Sequence, residues 1–279
     1  MKAFFIHLLK GLVIGSSMSL PGISGGTTAI LLGIYDDLVS AVGSFFKNVK
    51  EHFLLLAAVA LGGVLGVWLI SKPLLTLLDL YQLPMLYLFL GMVGGGLPVL
   101  FKKAQVRRMS SGVILYPLLG AAVVVLLWLL PKGALNVTVS GWAAYLVLGL
   151  VGLFAAVALV LPGISFTYLL LLIGMYEQVM QAIADLNIAY LTPIAVGLVV
   201  GTILTTKVLE RCMLRHPQGT YLIIIGFVIS SMFLQLFEEG VSLPQGGMIA
   251  VCIATFALGL IAVWLMTRGS ARGRRKKAA

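Results

Sequence analysis

The sequence predicts an all-α polytopic membrane protein built as an inverted repeat. Each half is a re-entrant or broken helical hairpin followed by three transmembrane helices. Three observations predict it. The 279 residues are 61% hydrophobic and only 10% charged, whereas soluble domains carry about 25% charged residues. Apolar runs close to the ~20 residues needed to cross a bilayer recur along the chain. The stretch SLPGISGGTTAILLGIYDDLVSAV at 19–42 returns as VLPGISFTYLLLLIGMYEQVMQAI at 160–183.

The elements follow in order. The N-terminal MKAFFIHLLKGLVIGSSMSL has a faint signal-peptide look. Lys10 interrupts its apolar run, and the motif behind it has a partner later in the chain, so it is read as part of the mature protein. A first hairpin covers residues 3–46: a helix, a P-G-I-S break and a second helix. Spans are expected at 53–70, 84–101 and 112–130. A second hairpin covers 141–186, with spans at 190–209, 219–237 and 246–267. The residues leave open whether each hairpin crosses the membrane twice or dips in and returns. Both bring the chain back to its starting side. The halves are 1–134 and 135–267, and a basic tail occupies 268–279. No polar stretch is long enough for a soluble domain.

The halves align without a gap through the motif. Pro21 meets Pro162, Gly22 meets Gly163, Ile23 meets Ile164 and Ser24 meets Ser165. Gly33 and Tyr35 meet Gly174 and Tyr176, and Asp36 meets Glu177. Further on, Gly62, Gly66 and Lys72 match Gly197, Gly201 and Lys207, and Gly91 matches Gly226. Such an ordered series marks a repeat.

The net charge of +10 does not point to nucleic acid, because the cations sit in short loops and the tail. They orient the chain. With the tail in the cytoplasm, seventeen Lys and Arg fall on the cytoplasmic side and only Lys72 and Lys132 outside. Asp79, Asp185, Glu238 and Glu239 fall outside as well. The second half is then upside down relative to the first. Inverted repeats with helices broken near the midplane recur among secondary transporters. Cys212 and Cys252 read as small apolar residues. His7, His52 and His216 are scattered, so no metal site and no cofactor is expected.

Broken backbone at membrane depth is tolerated where protein or a wet cavity covers it. Pro21 ends the preceding helix. Gly22, Gly25 and Gly26 allow close approach. The helix starting near Ser24 offers unpaired amides to an anion, and Ser24, Thr27 and Thr28 add hydroxyls. In the second copy Pro162 and Gly163 break the helix, and Ser165, Thr167 and Tyr168 supply the hydroxyls. Phe166 replaces Gly25 and narrows the approach. Gly62, Gly66, Gly197 and Gly201 read as helix-packing residues, and the run Gly91 to Gly96 as packing or a flexible bend. Tyr35 and Tyr176 are interfacial anchors or ligand contacts. Asp36, Asp37 and Glu177 are interfacial acids or carriers of coupling protons. Lys72 and Lys207 close equivalent helices on opposite faces, where each either snorkels or meets an anionic substrate.

The paired motifs LPGISGGTTAILLGIYD and LPGIS…LLLLIGMYE resemble the PopT family of bacterial polyprenyl-phosphate transporters, formerly a domain of unknown function. The similarity covers essentially the whole chain. It implies re-entrant hairpins and a site at Pro21, Gly22, Ser24, Gly25, Gly26 and Thr27 with Pro162, Gly163, Ser165 and Thr167. That family usually has glycine and then serine where this chain has Phe166 and Thr167. The resemblance further implies a flippase of the bacterial cytoplasmic membrane, both termini inside. It would return undecaprenyl phosphate from the outer to the cytoplasmic leaflet for cell-envelope synthesis. The partners are then the lipid and the bilayer, with a homo-oligomer left open. The competing function is secondary transport of a small soluble anion. An intramembrane phosphatase lacks a recognisable nucleophile and base.

Overall fold

The computed structural model describes residues 2–18, 24–106, 111–131, 133, 142–237 and 244–278, with side chains 2, 71, 142, 184 and 266–278 left out. Pro21, Gly22, Ile23, Arg107, Arg108, Lys132, Glu238 and Glu239 lie outside the described residues, as does the boundary at 134–135.

The first half contains α1 (Lys2–Met18), α2 (Gly25–Leu31), α3 (Tyr35–Gly43), a 3-10 turn (Phe45–Lys47), α4 (Val49–Leu80), α5 (Gln82–Lys103) and α6 (Ser111–Leu129). The second contains α7 (Trp142–Val160), α8 (Phe166–Ile173), α9 (Tyr176–Ala184), α10 (Ile188–Arg215), α11 (Pro217–Gln235) and α12 (Met248–Ala278). Among the described residues seven helices are long and apolar enough to cross a membrane, and the bent pair α8–α9 passes together as one more. Their outer faces are apolar: Trp68 is 78% exposed, Val64 69% and Leu126 63%. Such surface is stable in hydrocarbon and not in water.

Helix partners follow chain order. In the first half α1 packs on α4, and in the second α7 packs on α10. The remaining long helices pair across halves, α5 with α12 and α6 with α11. Glycine permits these approaches. A Cβ on Gly62 or Gly66 would fall on the Leu8 or Leu12 carbonyl of α1, and one on Gly197 would fall on the Gly149 carbonyl of α7. Gly91 meets the Phe256 carbonyl of α12, and Gly226 the Pro117 carbonyl of α6. These glycines serve close packing, as their spacing suggests.

Two expectations need correction. The helix after each P-G-I-S break is not continuous. It turns at Gly33 and Gly174, whose φ values are +64° and +76°, and α8 and α9 meet at 113°. A left-handed glycine is a common helix stop. Also, Lys72 and Lys207 do not close their helices, because α4 runs on to Leu80 and α10 to Arg215. The charged residues are tolerated inside a helix that outlasts the apolar span: 32 residues of α4 reach about 48 Å, more than the ~30 Å core.

The largest core cluster joins both halves. Ile30, Ile34 and Val39 of the first hairpin pack with Leu100 of α5, Leu209 of α10 and Leu222, Ile224 and Ile225 of α11. The first hairpin therefore sits in the middle of the molecule.

Candidate functional site

The start of α2 touches the second break. A Cβ built on Gly26 would lie 3.2 Å from the Pro162 Cα and 3.3 Å from the Val160 carbonyl oxygen. The Gly163 amide donates to Thr27 Oγ1 at 3.1 Å. Tyr35, 4% exposed, donates from its hydroxyl to the Val160 carbonyl at 3.0 Å. Tyr35 is therefore no interfacial anchor. It ties the first hairpin to the end of α7.

Ser24 and Ser165 are helix caps. Each has extended backbone, and its hydroxyl accepts from an amide three residues on, Thr27 or Tyr168, both at 3.3 Å. This follows from serine's preference for the N-cap. It takes one of the amides expected to be unpaired. At α8 the amides of Phe166 and Thr167 still have no acceptor within the helix.

The hydroxyls of the first motif serve the protein. Thr27 and Thr28 are buried. Thr28 Oγ1 lies 2.7 Å from Ser17 Oγ, and Ser17 donates to the Ile14 carbonyl at 2.8 Å. Gly25 abuts the Met18 side chain. The cavity touching Thr27 and Thr28, about 220 Å³, is walled by Val13, Leu31, Ile70, Leu74 and Phe89. Replacing Thr27 by valine keeps the shape and orphans the Gly163 amide. The expected cost is about 1–3 kcal/mol, read as a lower denaturation midpoint in detergent with faster hydrogen exchange at the Gly163 amide.

The second motif lines an open cavity. A cavity of about 480 Å³ is lined by Gly163, Ile164, Ser165 and Tyr168, by Ser231 and Gln235 of α11, and by Val124, Leu127, Trp128 and Leu130 from the end of α6. Its floor is polar at the start of α8 and its walls are apolar. Tyr168 occupies the position equivalent to Thr27 but does another job: its hydroxyl lies 3.0 Å from the Trp128 carbonyl and 3.3 Å from that of Leu127. It satisfies the end of α6 and closes one wall of the cavity. Thr167 is exposed and lies beside this floor without lining it.

The acids stand apart from the breaks. Asp36, in the first turn of α3, receives Lys103 Nζ at 2.6 Å and the Tyr221 hydroxyl at 3.0 Å. The ammonium also lies 5.8 Å from the centre of the Tyr221 ring. The second carboxylate oxygen of Asp36 is buried with no hydrogen bond among the described residues. Glu177 is exposed, as are Lys72 and Lys207, and none of the three has an ion pair among the described residues.

Sequence inspection missed Glu210 of α10. Its carboxylate accepts from Ser40 Oγ at 2.6 Å and from Ser44 Oγ at 3.0 and 2.9 Å. The available signal was Ser40 and Ser44, four apart on one helical face, with an acid at the far end of a span in a chain holding nine. Lys103 and Tyr221 were missed as well, since nothing local ties either to Asp36.

Seven helices long and apolar enough to cross a membrane among the described residues, interrupted helices and a polar-floored cavity at one interruption define a polytopic helical membrane protein. The chain belongs to the VCA0040-like family, described as undecaprenyl phosphate translocase-like, whose model matches residues 14–242. It is 30% identical over 243 residues to the polyprenyl-phosphate transporter of Staphylococcus aureus, covering 82% of this chain and 85% of that one. It is 25% identical over 241 residues to the polyprenyl-phosphate transporter of Vibrio cholerae, covering 80% and 75%. The resemblance carried by the paired P-G-I-S motifs is thus to the right family. No solved structure matches.

Proposed function

We propose that this chain is a translocase that returns undecaprenyl phosphate from the outer to the cytoplasmic leaflet for reuse in envelope synthesis. The observation that supports this most is the cavity at the second break. A phosphate cannot cross hydrocarbon bare, because burying an unpaired ion costs many kcal/mol. The polyprenyl chain can stay in lipid throughout. The protein needs only a polar resting place for the head beside an apolar wall. Ser165 supplies a hydroxyl there, next to the amides at the start of α8 that have no acceptor within the helix, without a fixed cation that would hold the phosphate too long. Gly26 and Thr27 act from behind by seating the second break, and Thr28 braces α2 against Ser17 of α1. Two halves of opposite orientation let the same head group face either leaflet. The lopsided Lys and Arg distribution supports an inner-membrane orientation with both termini cytoplasmic, in which the 480 Å³ cavity faces the outer side. Asp36 and Glu177 are candidates for the coupling proton. Lys72 and Lys207 are candidates for meeting the head group at either surface.

The test is leaflet exchange of a fluorescent polyprenyl phosphate in liposomes holding the purified protein. Wild type is expected to speed exchange, and Ser231→Trp, which fills the cavity, to return it to the lipid-only rate. Full activity in that variant overturns the assignment of the cavity. Uptake of inorganic phosphate by the same liposomes, without lipid exchange, would select the soluble-anion function instead.

A further inference from the structure

On the opposite face from that cavity, α10 and α11 are joined by a short turn but pack on different neighbours, α10 against α7 and α3, α11 against α6 and α5. A slot of about 440 Å³ runs between them. Leu161, Leu204, Thr205, Val208, Leu209 and Phe227 line it. Val208 is 62% exposed and Leu204 52%, so one wall of the slot lies at the lipid surface. Cys212, Thr220 and Ile223 line both this slot and a second cavity of about 830 Å³ at the α10–α11 turn. There the lining turns polar, with Gln105, Arg215, His216 and Gln218. Arg215 is exposed and has no ion pair among the described residues.

The dimensions are those of a lipid in one leaflet. From Pro217 to Phe227 α11 rises about 15 Å, half of a ~30 Å hydrocarbon core. The inner end of the slot, Leu161, is the residue before Pro162 of the second break, and Phe227 presents the carbonyl against which Gly163 packs. The outer end holds a guanidinium, whose fork matches a phosphate.

We propose that this slot docks the isoprenoid phosphate in the leaflet on the α10–α11 turn side. The phosphate lies at Arg215, and the chain runs along Leu204 and Val208 toward the break. This rests on the translocase function proposed above and adds the place where the lipid is held once its head has passed. The head meets a fixed cation here and none among the described lining of the other cavity. Phosphate therefore binds more firmly on this side. A single-chain phosphate is favoured over a two-chain phospholipid because the slot leads into the break that the head must leave.

The experiment uses the full chain in phosphatidylethanolamine–phosphatidylglycerol liposomes, with geranylgeranyl phosphate carrying a diazirine at the chain terminus. Light is expected to attach the probe to α10 and α11 peptides around Leu204 and Phe227, at the far end of the slot. Unlabelled geranylgeranyl phosphate should compete, and geranylgeraniol should not. Arg215→Gln is expected to lower labelling about tenfold, and Val208→Trp to remove it. Both positions are exposed, so both variants should fold. Attachment elsewhere, or equal competition by phosphatidylglycerol, overturns the docking site. Leaflet exchange on the same samples separates the two ideas. Exchange with no labelling of the slot refutes the slot alone. Labelling without exchange supports the slot as a binding site and refutes translocation.

Discussion

Gly163→Ala is expected to cost about 3 kcal/mol or more and to bring lipid exchange down to the protein-free rate, whereas Gly33→Ala costs about 1 kcal/mol and leaves exchange measurable. Both glycines have positive φ, +82° and +64°, so both changes carry the strain of a side chain in the left-handed region. They differ in surroundings. A Cβ at Gly33 meets nothing within 4 Å, while one at Gly163 lies 2.5 Å from the Phe227 carbonyl oxygen and 2.9 Å from the Val228 nitrogen. Those atoms belong to the backbone of α11 and cannot rotate away. The break must lift off α11, and lifting it pulls the Gly163 amide from Thr27 and widens its contact with Gly26. Denaturation in detergent measures the stability difference and leaflet exchange the functional one. Equal midpoints for the two variants would show that the second break does not rest on α11 in the working protein.

The comparison shows what a sequence can carry. Span positions were legible because hydrocarbon demands a long apolar run and loops demand charge. The packing role of Gly62, Gly66, Gly197 and Gly201 was legible because small residues one turn apart leave one face of a helix bare. The caps at Ser24 and Ser165 follow from local chemistry. What could not be read is which motif does which job. Thr27 and Tyr168 hold equivalent places, yet one bonds across to the other half and the other bonds to α6. Nothing within either motif encodes that, because the partner is chosen by packing between halves. The turns at Gly33 and Gly174 were in plain view as glycines before Ile-Tyr and Met-Tyr. An apolar run on both sides of each glycine reads as one continuous helix. Glu210 was hidden because its hydroxyl donors lie in the other half, as the Tyr221 partner of Asp36 does; Lys103 lies in the same half as Asp36 but 67 residues away.

Glu210→Ala is expected to free α3 and quicken hydrogen exchange across Tyr35–Gly43 by about a hundredfold, with α9 unchanged. The size follows from what is lost. Two serine hydroxyls donate to one carboxylate at 2.6 to 3.0 Å, and hydrogen bonds to a charged group contribute about 1.5–3 kcal/mol each, less when they share an acceptor. A total near 3 kcal/mol corresponds to about two powers of ten. The end of α3 is held tightly there, since a Cβ on Gly43 would come within 2.6 Å of Glu210 Oε2. Among the described residues its counterpart α9 meets α10 through the exposed Tyr190–Gln178 hydrogen bond at 3.2 Å and apolar packing of Val179 near Ile194, with no charged acceptor. The hairpins are thus restrained unequally: α3 is fastened to α10 through Glu210 and to α5 and α11 through Asp36, while the start of α8 faces a cavity. If the two halves exchange roles during transport, the fastenings of α3 must part when the other side opens. The double variant Ser40→Ala, Ser44→Ala should then match Glu210→Ala, and the three changes together should add little. Exchange in α3 that stays at the wild-type rate in both variants would mean that Glu210 holds nothing in place, and that packing around Ile34 and Val39 alone keeps this hairpin seated.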